Sequence, residues 1–180
     1  MNRLMRLTTI ATFLFSLGCA MSDINRDLKK YESQEPKLVL DGFLNGDMEA
    51  YGVVQNRSGE VVKRFRCEMK ASWQGGEGLI DETFYYSDGT TGKRVWKLKK
   101  IDDSHFKGTA GDVVGEAIGG TAGNALNWKY TLDIPYNDSS IHVQMDDWMF
   151  LIANKVLINK TEMTKFGIRV GEVTLTIIKK

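Results

Sequence analysis

The sequence predicts an all-β protein, an antiparallel up-and-down meander of about ten strands that closes into a barrel. Apolar residues recur with period two over long stretches from residue 38 onward, which marks strands with one buried and one wet face. Turn-forming clusters separate the stretches: Asn45-Gly46-Asp47, Arg57-Ser58-Gly59, Gly75-Gly76, Ser87-Asp88-Gly89 and Asn137-Asp138-Ser139. Long alternating strands with short connections must close their edges, which favours a barrel of lipocalin type over a Greek-key sandwich.

The first element is a leader. Arg3 and Arg6 precede an apolar run from Leu7 to Leu17. That run is well short of the roughly 20 residues a membrane span needs, so residues 1–18 read as a cleaved signal. Phe15-Ser16-Leu17-Gly18-Cys19 matches the lipobox of bacterial lipoproteins, with Ser16 where Leu is commoner. Cys19 is the expected lipid attachment site: its thiol takes a diacylglyceryl group and its freed amine a further acyl chain such as palmitate. At ~0.8 kcal/mol per buried CH₂, two or more chains anchor a protein stably to a membrane. Ala20, rather than Asp, after the cysteine points to the periplasmic face of an outer membrane. Residues 19–35 are rich in Ser, Asp, Asn, Gln and Lys and are expected to be a flexible tether, with a helical turn near 27–30. From Cys19 to Pro36 such a tether would reach at most about 60 Å, enough to hold the domain clear of the lipid.

Residues 36–180 form the single expected β-barrel domain. Candidate strands cover 38–44, 48–55, 61–73, 79–86, 93–101, 105–110, 124–134, 141–152, 156–159 and 167–178. In the third of these, Phe65, Cys67, Met69, Ala71 and Trp73 share one face, and Arg64, Arg66, Glu68, Lys70 and Ser72 the other. In 124–134, Leu126, Trp128, Tyr130, Leu132 and Ile134 lie opposite Asn127, Lys129, Thr131 and Asp133. A membrane-spanning barrel fits less well, because its outer face would be the apolar one.

Composition narrows the function. Removing Arg3 and Arg6 from the 24 basic residues leaves them one short of the 23 acidic ones. Near-neutrality argues against nucleic acid as a partner, since phosphate binding needs a clustered basic surface. With only Cys67 beside Cys19, no internal disulfide is expected, and the core alone must hold the fold.

No catalytic, metal or cofactor-binding constellation emerges. His142 and Asp146 lie ~13 Å apart along one strand, too far to share a metal ion. Asp146 and Asp147 are adjacent strand residues on opposite faces, so they cannot form a proton-sharing dyad; one of them should face inward and need a partner. Glycines 108, 111, 115, 119, 120 and 123 lack the Gly-Lys-Ser/Thr ending of a phosphate loop and read as bends or close approaches at barrel corners. The sequons at Asn56, Asn137 and Asn159 read as chance matches in turns.

Several segments occur together in order: Leu79-Ile80-Asp81-Glu82-Thr83-Phe84, Gly108-Thr109-Ala110, Asp112-Val113-Val114-Gly115-Glu116-Ala117, Gly123-Asn124-Ala125-Leu126, Asp146-Asp147-Trp148-Met149, Lys165-Phe166-Gly167 and Val170-Gly171-Glu172-Val173. Across the whole mature domain they resemble a proteobacterial lipoprotein family catalogued as domain of unknown function 3833. The resemblance implies a lipoprotein with a lipocalin-like barrel and no established activity. It makes Asp146, Asp147, Trp148, Phe166, Gly167 and Gly171 motif residues. Members are often encoded near lipid-modifying enzymes, which points to membrane lipids by association.

Aromatics form the remaining constellation: Trp73, Phe84, Trp96, Trp128, Tyr130 and Trp148 all fall on candidate strands. They either pack a filled core or line a cavity for one ligand. Two function classes follow: a non-enzymatic binder of fatty-acid- or phospholipid-like amphiphiles, or a filled barrel serving envelope assembly or protein interaction. For the binder, Glu82 and Arg94 fall among apolar neighbours on adjacent strands. They would form a structural ion pair, or else Arg94 would grip an acidic headgroup through its planar fork. Oligomeric state is not legible.

Overall fold

The computed structural model describes Ile24 and residues 27–180; Cys19, the lipobox and the leader lie outside the described residues. Ten strands follow one another as antiparallel hairpins: β1 Gly46–Asn56, β2 Val61–Gln74, β3 Glu77–Tyr86, β4 Thr91–Lys100, β5 His105–Thr109, β6 Ala117–Ala122, β7 Ala125–Tyr136, β8 Ser139–Ala153, β9 Val156–Lys165 and β10 Ile168–Lys179. β1 and β10 pair from Met48↔Lys179 to Asn56↔Gly171 and close the sheet into a barrel, leaving no edge unpaired.

The period-two faces point as their patterns require. Cys67, Met69 and Ala71 of β2 are buried, and Leu126 and Trp128 of β7 join the same core. Apolar residues thus fill the interior while Arg64, Glu68, Lys70, Lys97 and Lys99 are exposed, the reverse of a barrel whose outer wall meets lipid chains. Cys67 is a free, buried thiol, and burial pushes its pKa up, which removes thiolate reactivity.

Three expectations need correction. Residues 38–44 are not a strand. Leu40–Phe43 is one helical turn, because Leu40, Phe43 and Leu44 recur at helical spacing and all three plug the barrel's lower end. The Trp73 indole donates to Leu44 O at 2.6 Å, and Lys179 Nζ to Gly42 O at 2.6 Å, which pins the plug.

The strand missing from the sequence reading is β6, Ala-Ile-Gly-Gly-Thr-Ala. Its glycines are not a bend. The Trp128 ring and the Asn127 carbonyl occupy the space where a Gly119 side chain would stand, and Leu28 packs over Gly120 on the other face.

The third correction concerns the tether. Ile24 and Leu28 are buried against Ile118 and Ala125 on the outer wall. Tyr31 packs beside Trp148 and Phe150, with ring centroids 5.7 and 5.3 Å away. The spacing 24, 28, 31 is helical and was masked by the polar residues between. From Cys19 to the docked Ile24 the chain can reach at most about 18 Å, not the reach expected for residues 19–35.

Candidate functional site

Between the helical plug and the opposite end, the barrel encloses a cavity of about 600 Å³. Drug-sized ligands commonly occupy pockets of about 300–1,000 Å³. Lower down, Leu40, Leu44, Ala50, Met69, Ile80 and Leu98 line it; Phe65, Phe84, Tyr86, Val54 and Ile134 line it toward the mouth. The mouth is ringed by the β1–β2, β3–β4, β7–β8 and β9–β10 turns and by loop 110–116.

The strand period brings all six proposed binding residues, Glu82, Phe84, Arg94, Trp96, Trp128 and Tyr130, to this one cavity. Glu82 and Arg94 are direct cross-strand partners on β3 and β4. Trp96 stands edge-on to Trp128 at 5.8 Å and to Tyr130 at 5.3 Å between centroids. Phe84 is edge-on to Phe65 and stacks on Tyr86, and the Arg94 guanidinium lies 5.7 Å from the Phe84 ring.

The ion pair differs from the sequence expectation in its partner. Arg94 Nε donates to both Asp112 oxygens at 3.0 Å and Nη2 donates to Asp112 Oδ2 at 2.6 Å, a bidentate fork. Glu82 Oε2 stands 4.0 Å from Arg94 Nη1, a looser contact. Asp112 sits in loop 110–116, which β7 holds through Asp133 N–H to Asp112 O and Val114 N–H to Thr131 O. The sequence reading treated this glycine-bearing stretch as a corner and so missed its carboxylate.

Asp147 is the inward member of its pair, almost fully buried on the cavity wall. Asp146 points outward to Asn127 Nδ2 at 2.6 Å and Lys129 Nζ at 3.3 Å. Asp147 lies within hydrogen-bonding reach of the Tyr130 and Thr161 hydroxyls, and the single Thr161 hydroxyl proton is shared with Asn159 Oδ1 at 2.9 Å. Thr161 escaped sequence reading, and Asn159, read there as a turn sequon, is instead buried on β9, because β9 turns polar residues inward and erases the apolar alternation beyond residue 158.

Burial dominates the electrostatics of this belt. It raises Glu82 to about 7 against the partial relief from Arg94, and Asp147 to about 6 against the hydrogen bonds from Thr161 and Tyr130. It also pushes Tyr130 well above the usual phenol range. Burial opposes the charge on Arg94, but Asp112 and Glu82 more than offset that, so the guanidinium stays firmly protonated.

The remaining motif residues are structural or lie elsewhere. Trp148 faces outward, against Phe150 and Tyr31. Phe166 and Gly167 form the β9–β10 turn, both with positive φ, and the Phe166 ring is 88% exposed at the rim. Gly171 sits at a bulge where a side chain would strike Gln55 O. Among the described residues no group of three His, Cys, Asp or Glu side chains could hold a metal ion, and no helix is long and apolar enough to cross a membrane.

Comparison with solved structures matches this barrel to "Structure of S-type Phycobiliprotein Lyase CPES from Guillardia theta", with a TM-score of 0.57 and 7% sequence identity over 79% of this chain and 93% of that one. At that identity the likeness is one of fold, a lipocalin-like barrel. Comparison with curated protein sequences gives no match. The sequence itself matches, over residues 13–179, the family described as "Protein of unknown function (DUF3833)", and to that family the chain belongs.

Proposed function

We propose that this protein is a non-enzymatic binder or carrier of long-chain, lipid-like amphiphiles in the bacterial cell envelope. The observation that carries the reading is the cavity of about 600 Å³, apolar over most of its wall and polar in one belt, as an amphiphile requires. A filled barrel acting in envelope assembly would not leave that space. Anchoring through acyl chains on Cys19 to the periplasmic face of the outer membrane complements it. With at most about 18 Å of chain between Cys19 and the docked Ile24, the barrel stays at the lipid surface from which such a ligand would come.

Trp96 and Trp128 line the cavity, so they report occupancy. Titration with a straight-chain alcohol brominated along its chain should quench their fluorescence saturably at one ligand per protein. Ala50→Phe places a ring inside the wall and should abolish quenching while leaving the β-type circular dichroism intact. Equal quenching in wild type and Ala50→Phe would place the probe outside the barrel and remove the reading.

A further inference from the structure

The belt says which polar end the cavity takes. Its one buried cation among the described residues is already engaged: three hydrogen bonds at 2.6–3.0 Å tie Arg94 to Asp112, with Glu82 4.0 Å away on its other side. Lys63, at the mouth, is bound to Asp88 at 3.0 Å. Once Arg94 and Asp112 neutralise one another, the belt keeps two further carboxyl groups, Glu82 and Asp147, with no cation left over among the cavity-lining residues.

Each group also keeps one unmet oxygen, beside the Trp96 contact of Glu82 and the Tyr130 and Thr161 contacts of Asp147. Glu82 Oε2 and Asp147 Oδ1 are buried and have no hydrogen-bond partner among the described residues. An unmet buried acceptor costs about 1–3 kcal/mol, and more when it is charged. What those two oxygens lack is a donor. A fatty-acid carboxylate or a phosphate brings acceptors and a negative charge beside two carboxyl groups, whereas an ammonium or hydroxyl brings donors.

We propose that the cavity selects amphiphiles whose polar end is a hydrogen-bond donor, an ammonium or a hydroxyl, with Glu82 and Asp147 as its acceptors, and discriminates against carboxylate and phosphate headgroups. This rests on the reading of the cavity as an amphiphile site and runs against the alternative in which Arg94 grips an acidic headgroup.

The test is competition against the neutral fluorescent probe N-phenyl-1-naphthylamine, using a saturated amine, alcohol and carboxylate of one chain length, below their micellar concentrations, at about pH 8. The amine should displace the probe at a concentration roughly tenfold lower than the carboxylate, the size expected of one charge-assisted hydrogen bond, with the alcohol between them. In Glu82→Gln/Asp147→Asn the preference, referred to the probe affinity measured in that variant, should shrink to about threefold or less while the circular dichroism persists. If the double variant does not fold, Glu82→Gln alone should still roughly halve the ratio. A carboxylate that competes as well as the amine, or a preference unchanged in a folded variant, overturns the assignment. If neither probe nor any chain binds the wild type, the amphiphile site itself falls, a separate outcome.

Discussion

At the floor of the barrel, Leu40, Phe43 and Leu44 fill the end of the core by apolar contact, with the Trp73–Leu44 hydrogen bond as a pin. Halfway up, Glu82, Arg94, Asp112 and Asp147 occupy the same interior but are held by charge. A floor residue loses only its own contacts when truncated, whereas a belt residue leaves a partner's charge behind in a low dielectric. The floor is therefore built to stay shut, and the belt to exchange one set of polar partners for another.

The comparison is broken most forcefully at its cation. Arg94→Met should cost about 3–5 kcal/mol in chemical denaturation, because Glu82 loses its only buried counter-charge among the described residues and loop 110–116 its fork. A folded, fully stable Arg94→Met protein would show that the belt is not held by charge.

The second test uses pH. Glu82 binds its proton more tightly in the folded barrel, at about 7 against the ordinary 4.5, and Asp147 at about 6 against 3.8. The stability this confers is complete below the unfolded values and is lost as pH rises through the folded ones. The ligand-free barrel should thus weaken between about pH 4 and pH 7, with Glu82 contributing roughly 3 kcal/mol. Glu82→Gln should flatten that fall, while floor variants leave its slope unchanged. Denaturant midpoints across that range decide it.

The smallest effect belongs to the floor. Trp73→Phe trims the ring and deletes the N–H donor to Leu44 O, so a loss of about 1–3 kcal/mol is expected, insensitive to pH.

The barrel was legible because period two survives wherever one face is apolar, as in β2 and β7. It failed where an inward position had to be small or polar. Gly119 makes room for Trp128, and Thr161 turns inward toward Asp147 and Asn159, so β6 vanished and β9 was cut short. Cross-strand register carried Glu82 and Arg94 into one site directly from the alternation. Asp112 reaches that site from a loop, and no periodicity encodes where a loop lands.

Native mass spectrometry of the intact protein released from membranes tests the central claim most directly, because covalent acyl chains survive denaturation whereas a cavity ligand does not. The account predicts that the native mass exceeds the denatured one by a single amphiphile, and that Ala50→Phe abolishes the difference. Identical native and denatured masses, persisting after incubation with long-chain amines, alcohols and carboxylates, would contradict it.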